Sequence, residues 1–230
     1  MQKRNSAHPS NAMGMPAQQD NAILCFGDSN TWGYIPLSGE RLSRAERWPG
    51  VLQKSLGNSF LVIEEGLNGR TTAFNEPFRD GRNARTTLPS LLESHAPIAL
   101  LIIMLGTNDL KHHFNVSAHE SSRGINSLLQ VINNSTAGFE NKPPRTLVIA
   151  PPKFGEMSEA MSHHFQDARE KSAELPRHYS QSCAQFGCSF FDANQVVTVS
   201  VDGIHLDVEG HRELASALAP QVLRLVNAIG

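Results

Sequence analysis

The sequence predicts an α/β protein, a three-layer α/β/α sandwich built on a five-stranded parallel sheet. Three observations carry that expectation. Short apolar runs recur along the chain, each separated from the next by a stretch long enough for a helix, which is an alternating β/α plan. The runs are almost continuously apolar and do not alternate with polar residues, as parallel strands covered on both faces require. The C-terminal segment carries apolar residues at helical spacing, a stripe suited to packing on a sheet.

In chain order, residues 1–20, rich in Asn, Gln, Ser, Pro and Ala, lack periodicity and read as a disordered or loosely attached tail. Residues 21–230 read as one domain. Its strands are expected at 22–26, 60–63, 98–105, 146–150 and 189–191. Helices are expected at 46–56, 87–95, 117–132 and 158–186, with Pro176 interrupting the last. The final helix starts from Asp207 as N-cap and presents Leu214, Leu218, Val222, Leu225 and Ile229 on one side, with His211 beside them. Right-handed crossovers between five such strands give a flavodoxin-like arrangement, with ligands expected outside the carboxyl ends of the strands.

Composition narrows the function classes. The chain has 230 residues and 40% hydrophobic content, enough for one sizeable core. Twenty Lys and Arg against 22 Asp and Glu leave a net charge of -2, without the basic stripe that phosphate binding needs, so nucleic acid is not an expected partner. Arg41, Arg44 and Arg47, and again Arg79, Arg82 and Arg85, are interleaved with acids and loop residues and read as solvated charge. Three cysteines do not make an even disulfide framework. Cys25 falls in the first strand, while Cys183 and Cys188 flank a Gln-Phe-Gly turn and read as small hydrophobes, since no further ligand follows at metal spacing. The pairs His112-His113 and His163-His164 lack a completing carboxylate or cysteine and read as exposed loop histidines, so no metal is expected. Neither a signal peptide nor a membrane span is visible. The reading is a cytoplasmic protein whose partner is a small molecule.

Four short blocks at strand ends carry the chemistry. The first apolar run leads into Gly27-Asp28-Ser29-Asn30; Asn68-Gly69-Arg70-Thr71 follows the second; Gly106-Thr107-Asn108-Asp109 follows the third; Asp202-Gly203-Ile204-His205 stands before the last helix. Taken singly, each is ordinary turn or cap chemistry. Together on one sheet edge they suggest one site. A serine hydroxyl is a weak nucleophile until a base takes its proton, and an imidazole oriented by a carboxylate is the usual base. Ser29, His205 and Asp202 can fill those roles. The oxyanion that develops during acyl transfer needs aimed donors, and the Ser29 N–H, the Gly69 N–H and the Asn108 amide can supply them. Asp28 and Asp109 read as turn-holding carboxylates. Trp32, Ile35, Leu110, Phe154 and Met157 stand in loops just past strands and are the expected lining of a substrate pocket.

On these blocks the chain resembles the SGNH hydrolases, also called the GDSL esterase/lipase family, over residues 22 to 215. The resemblance implies Ser29 as nucleophile, Gly69 and Asn108 as oxyanion donors, and Asp202 and His205 as the remaining catalytic residues of a single catalytic domain. Asn30 departs from the leucine of the family's name, a position expected to tune packing. The runs Ile23-Leu24-Cys25-Phe26-Gly27-Asp28-Ser29, Thr31-Trp32-Gly33, Glu64-Glu65-Gly66-Leu67, Arg70-Thr71-Thr72 and Ile102-Ile103-Met104-Leu105-Gly106-Thr107-Asn108-Asp109 are similar to the bacterial arylesterase/acyltransferase branch. That likeness implies a cofactor-independent serine esterase acting on short-chain or aryl esters, with acyl transfer to alcohols or peroxide in some members. Some members are homo-oligomers, an assembly this sequence alone does not show. Two rivals stand beside it. A carbohydrate O-deacetylase or thioesterase would use the same residues with a different pocket, and a non-catalytic module would bind without turnover. The aromatic content of 7% gives no cue to a polysaccharide-binding surface.

Overall fold

A computed structural model describes residues 21–227, so the expected tail at 1–20 and Ile229 lie outside the described residues. Within them the chain forms β1 (Asn21–Gly27), β2 (Phe60–Gly66), β3 (Ile98–Met104), β4 (Arg145–Ala150) and β5 (Ser189–Asp192). All pairings are parallel and the order is β2-β1-β3-β4-β5, the flavodoxin-like order. The expected sheet is therefore the observed one. The chain leaves β1 to one side and β3 lies on its other side, so the reversal point falls between these two strands.

Period-2 geometry explains why the runs are continuously apolar. Leu24, Phe26, Leu101, Ile103 and Val148 point into one core, while Ile23, Cys25, Leu100, Ile102 and Leu147 point into another. On the second face lie α2 (Trp48–Leu56) and α7 (Val208–Asn227), whose Leu52, Leu214, Leu218 and Val222 are fully buried. On the first lie α3 (Ala84–Ser94), α4 (Ala118–Asn133) and α6 (Ala168–Phe186). α1 (Ser29–Trp32) is a single turn at the end of β1, and α5 (Glu159–His164) is a short helix beyond β4. None of the described helices is long and apolar enough to cross a membrane.

Local chemistry sets the helix starts. Ser117 caps α4 in a reciprocal capping box with Glu120, and Asp207 caps α7 by accepting from the Gly210 N–H at 2.9 Å. The expected helix at 158–186 is two helices. The break falls at residues 165–167, where Asp167 takes φ 57°, and not at Pro176, which α6 contains without interruption. Proline is a poor guide here because a helix held by tertiary packing can absorb one lost backbone bond.

Of the clustered arginines, Arg41, Arg44, Arg79 and Arg85 are exposed as expected, while Arg47 and Arg82 are half-buried. Arg44 donates to Glu64 at 3.0 Å and Arg47 also pairs with Glu64, while Arg82 donates to the Asn68 carbonyl at 2.9 Å. The three cysteines are free, with Cys25 and Cys183 buried in the cores.

Candidate active site

The four blocks meet at the carboxyl edge of the sheet, at the reversal point between β1 and β3. Two glycines let the first block sit there. A Cβ on Gly27 would come within 2.0 Å of the Thr31 hydroxyl, and one on Gly66 within 2.3 Å of the Trp32 nitrogen. With both strands ending in glycine, α1 rests directly on the sheet and holds Ser29 at its first position. Asp28 caps that turn, its Oδ1 accepting the Asn30 N–H at 3.0 Å. Burial pushes the Asp28 carboxyl up to about 6, against the lowering pull of the Asn30 N–H and nearby cations.

Ser29 Oγ lies 2.8 Å from His205 Nε2, and His205 Nδ1 lies 2.6 Å from Asp202 Oδ2. Asp202 is acceptor-only when ionised, so the ring proton sits on Nδ1 and the Nε2 lone pair faces the hydroxyl. Asp202 Oδ1 also accepts the N–H groups of Ile204 and His205, each at 2.9 Å. Burial alone would raise this carboxyl, but the His205 ring and those N–H groups outweigh it and hold it below the usual carboxylate range. One carboxylate thus fixes the loop backbone and the imidazole together. Ser29, Asp202 and His205 are at most 6% exposed.

Gly69 and Asn108, the expected donors, line the same cavity as Ser29 and His205. Gly69 takes φ 81°, in the left-handed region that glycine enters without Cβ strain. The Asn108 amide donates one N–H to the Arg70 carbonyl at 3.2 Å, which fixes its plane and leaves a second N–H available. Arg70 pins the same block to the sheet by donating to the Gly27 carbonyl at 2.8 Å and to the Glu65 carbonyl, with its guanidinium 4.3 Å above the Phe26 ring. Burial lowers the Arg70 guanidinium to about 10, still well within its charged range. Asp109 joins the two donor blocks. Its carboxylate accepts the Thr72 N–H at 2.8 Å, the Thr72 hydroxyl at 2.6 Å and the Ser121 hydroxyl at 2.7 Å. Burial raises it to about 6 despite these donors. The expectation that Asp28 and Asp109 hold turns agrees with these contacts.

Ser29, His205, Gly69 and Asn108 all line one cavity of about 400 Å³. Its other walls differ from those expected. Trp32, Ile35, Leu110, Phe154 and Met157 are absent from the lining. Leu110 and Phe154 are buried in the first core, Met157 packs against it, and Trp32 lies under the Arg41 guanidinium at 4.9 Å. The lining instead comes from Tyr34, whose ring stacks on His205 with centroids 4.3 Å apart, from Met161 and Phe165, and from Glu76, Phe78, Arg79, Lys111, His113 and His164. Met161 and Phe165 stand four residues apart, a helical spacing that could have marked them. Nothing local marks the rest, which apart from His164 at the end of α5 come from connections between elements. His113 and His164 are exposed as expected and also line the cavity. His113 lies 3.3 Å from Glu76, whose carboxylate also takes Lys111 at 2.6 Å. Among the described residues, no three His, Cys, Asp or Glu side chains cluster as a metal site.

The structure revises the expectation that Asn30 only tunes packing. Asn30 is 2% exposed and hydrogen-bonded rather than packed: it donates to the Ile204 carbonyl at 3.3 Å and accepts the Leu206 N–H at 3.0 Å.

Comparison with known proteins agrees with the geometry. The model of the GDSL-like lipase/acylhydrolase family matches residues 25–213. No curated protein matches the chain. Among solved structures, the native aryl esterase of M. smegmatis is 39% identical, covers 89% of this chain and 99% of its own, and superposes with a TM-score of 0.86. Est24, a carbohydrate acetylesterase from Sinorhizobium meliloti, is 36% identical over 90% of this chain and 100% of its own, also with a TM-score of 0.86.

Proposed function

This chain belongs to the GDSL-like lipase/acylhydrolase family, and we propose that it hydrolyses short-chain or aryl carboxylic esters through an acyl-enzyme on Ser29. The observation that carries this reading is the hydrogen-bonded run from Ser29 Oγ through His205 to Asp202, at 2.8 and 2.6 Å, with Gly69 and Asn108 on the same cavity. Ser29 Oγ attacks the carbonyl carbon while His205 Nε2 takes its proton, and Asp202 stabilises the imidazolium. The negative charge moves to the carbonyl oxygen and is held by the Ser29 N–H, the Gly69 N–H and the Asn108 amide. Collapse expels the alcohol or phenol oxygen, which receives the proton from His205. Water then attacks the acyl-serine, gives a proton to the same imidazole, and releases the acid with Ser29 restored.

Transfer of the acyl group to an alcohol or peroxide would use the second half of this cycle with a different acceptor in place of water. We further propose that the protein is cytoplasmic, a reading supported by three unpaired cysteines. A small-molecule ester is its partner, with no role for nucleic acid or membrane. Assembly as a homo-oligomer rests on the resemblance to the arylesterase branch alone.

A carbohydrate O-deacetylase is the second reading. It is favoured by the polar wall of Glu76, Arg79, Lys111 and His113, which suits hydroxyl-rich alcohols better than phenols, and by the identity with Est24. The test is intact-protein mass spectrometry after p-nitrophenyl acetate or an organophosphonate, followed by steady-state assays on aryl acetates, acetylated sugars and acyl thioesters. One adduct per chain, absent from Ser29→Ala, is the expected result. An adduct that persists in Ser29→Ala, or none on folded wild type, would overturn the assignment.

A further inference from the structure

We propose that Asn30 is a positioning residue that sets the register between nucleophile and base. The inference rests on the serine-esterase reading. Ser29 and His205 meet across 176 positions of sequence, on two elements with no shared backbone ladder: a one-turn helix after β1 and the loop before α7. Something must fix the loop to the turn to a fraction of an ångström, because a reacting pair misplaced by about 1 Å loses on the order of 10²-fold in rate.

Asn30 is the residue after the nucleophile, and its side chain reaches across that gap. Its Nδ2 donates to the Ile204 carbonyl at 3.3 Å, and its Oδ1 accepts the Leu206 N–H at 3.0 Å. These are the peptide groups on either side of His205. Two bonds from one planar amide, flanking a single Cα, resist both sliding of the loop along the turn and rotation of the imidazole about its own backbone. The backbone that carries this amide is itself fixed, since the Asn30 main-chain N–H is held by Asp28 Oδ1 at 3.0 Å and the residue is 2% exposed. Asp202 fixes the imidazole within its own loop, whereas Asn30 fixes that loop to the serine. The leucine of the family's name has no donor or acceptor for either bond.

The chemistry of the side chain gives two separable variants. Asn30→Leu removes both bonds. Asn30→Asp keeps an acceptor for the Leu206 N–H, removes the donor to Ile204, and places a negative charge beside the imidazole, which favours its protonated form. For wild type and both variants, the experiment measures Ser29 acylation by p-nitrophenyl acetate in single turnover, steady-state kcat and KM across pH, and thermal unfolding.

Asn30→Leu should acylate roughly 10- to 100-fold more slowly with KM nearly unchanged. Asn30→Asp should retain more rate at high pH, with the acid limb of kcat/KM moved to higher pH. A purely structural role would lower Tm and leave the single-turnover acylation rate of folded protein unchanged. Acylation in folded Asn30→Leu within about threefold of wild type would overturn the proposal. Should Asn30→Leu fail to fold, Asn30→Asp, which loses the donor to Ile204, decides by its acylation rate on the high-pH plateau, where a rate within about threefold of wild type overturns the proposal. A wild type that is not labelled at Ser29 defeats the esterase reading itself, whereas a labelled wild type with unchanged variants defeats only the role of Asn30.

Discussion

The reacting edge of the cavity and the wall across from it are held by different means. Ser29, Asn108, Asp202 and His205 are at most 6% exposed; Ser29, Asn108 and His205 are each fixed by a hydrogen bond to another block, and Asp202 by hydrogen bonds within its own. Behind them stand Asp109, Arg70 and Asn30, buried and bonded to backbone groups of neighbouring segments, and Asp28, buried and bonded to the Asn30 N–H of its own block. The opposite wall is made of side chains on connections. Phe78 is 78% exposed, and it is held at the cavity by an edge-on contact with His113 at 5.5 Å between ring centroids. One region is over-determined; in the other, the buried Glu76 pairs with Lys111 and His113, but Phe78 is held by few contacts. The difference separates chemistry, which needs fixed geometry, from specificity, which loops can alter without disturbing the sheet.

The sharpest way to break this comparison is Asn108→Ala. Loss of one preorganised donor should lower kcat by about 10²–10³ with little change in KM. If stopped-flow and steady-state assays put the whole loss in KM, the reacting edge is acting as a binding surface and the contrast fails.

A smaller effect tests the buried layer that continues behind the edge. His211, fully buried on α7, accepts the Trp48 N–H on Nδ1 at 3.2 Å. Burial lowers its imidazole to about 4, against about 6.5 in an unfolded chain. Between those values the unfolded chain binds the proton and the folded chain does not. This contribution is therefore complete above about pH 6.5 and declines as the pH falls toward about 4. At pH 5 the deficit is about 2 kcal/mol, roughly thirtyfold in the folding constant. His211→Asn keeps an acceptor near the Trp48 N–H and should lose less stability than wild type between pH 7 and pH 5 in urea titrations. Phe78→Ala, on the loose wall, should leave the wild-type slope intact. Equal slopes in all three proteins would remove His211 as their source.

The smallest expected effect concerns that wall directly. Phe78→Ala should raise KM for aryl esters by a few-fold with kcat nearly constant, as loss of uniform binding predicts. A fall in kcat of the size expected for Asn108→Ala would mean that the two regions are mechanically one.

The same division explains what the amino-acid sequence discloses. The inner strands are legible because a parallel strand buried on both faces must be apolar, as Ile98–Met104 is, while the half-buried edge strands β2 and β5 show only the short apolar runs at 60–63 and 189–191. The four blocks are legible because Ser29, Gly69, Asn108, Asp202 and His205 each suit a role in the proposed mechanism that few residue types could fill. The pocket is not. Leu110 and Phe154 have the right composition for a lining, but the turn after β3 and the segment after β4 send them into the core. Asn30 was expected to tune packing, and only the fold brings Ile204 and Leu206 within its reach. The split of the expected helix at residues 165–167 depends on Asp167 entering the left-handed region, which its residue type permits and does not require.

The 176-residue separation between Ser29 and His205 also bears on biosynthesis. Chains are made from the N-terminus, and domains form as their segments emerge. The serine is thus synthesised long before its base, and every intermediate that lacks the loop before α7 carries an unactivated hydroxyl. A nascent or C-terminally truncated chain should be harmless to the esters around it, and reactivity should appear only with the last long-range contact. Titrating the serine therefore counts completed molecules: it reports how many chains have brought their two ends together.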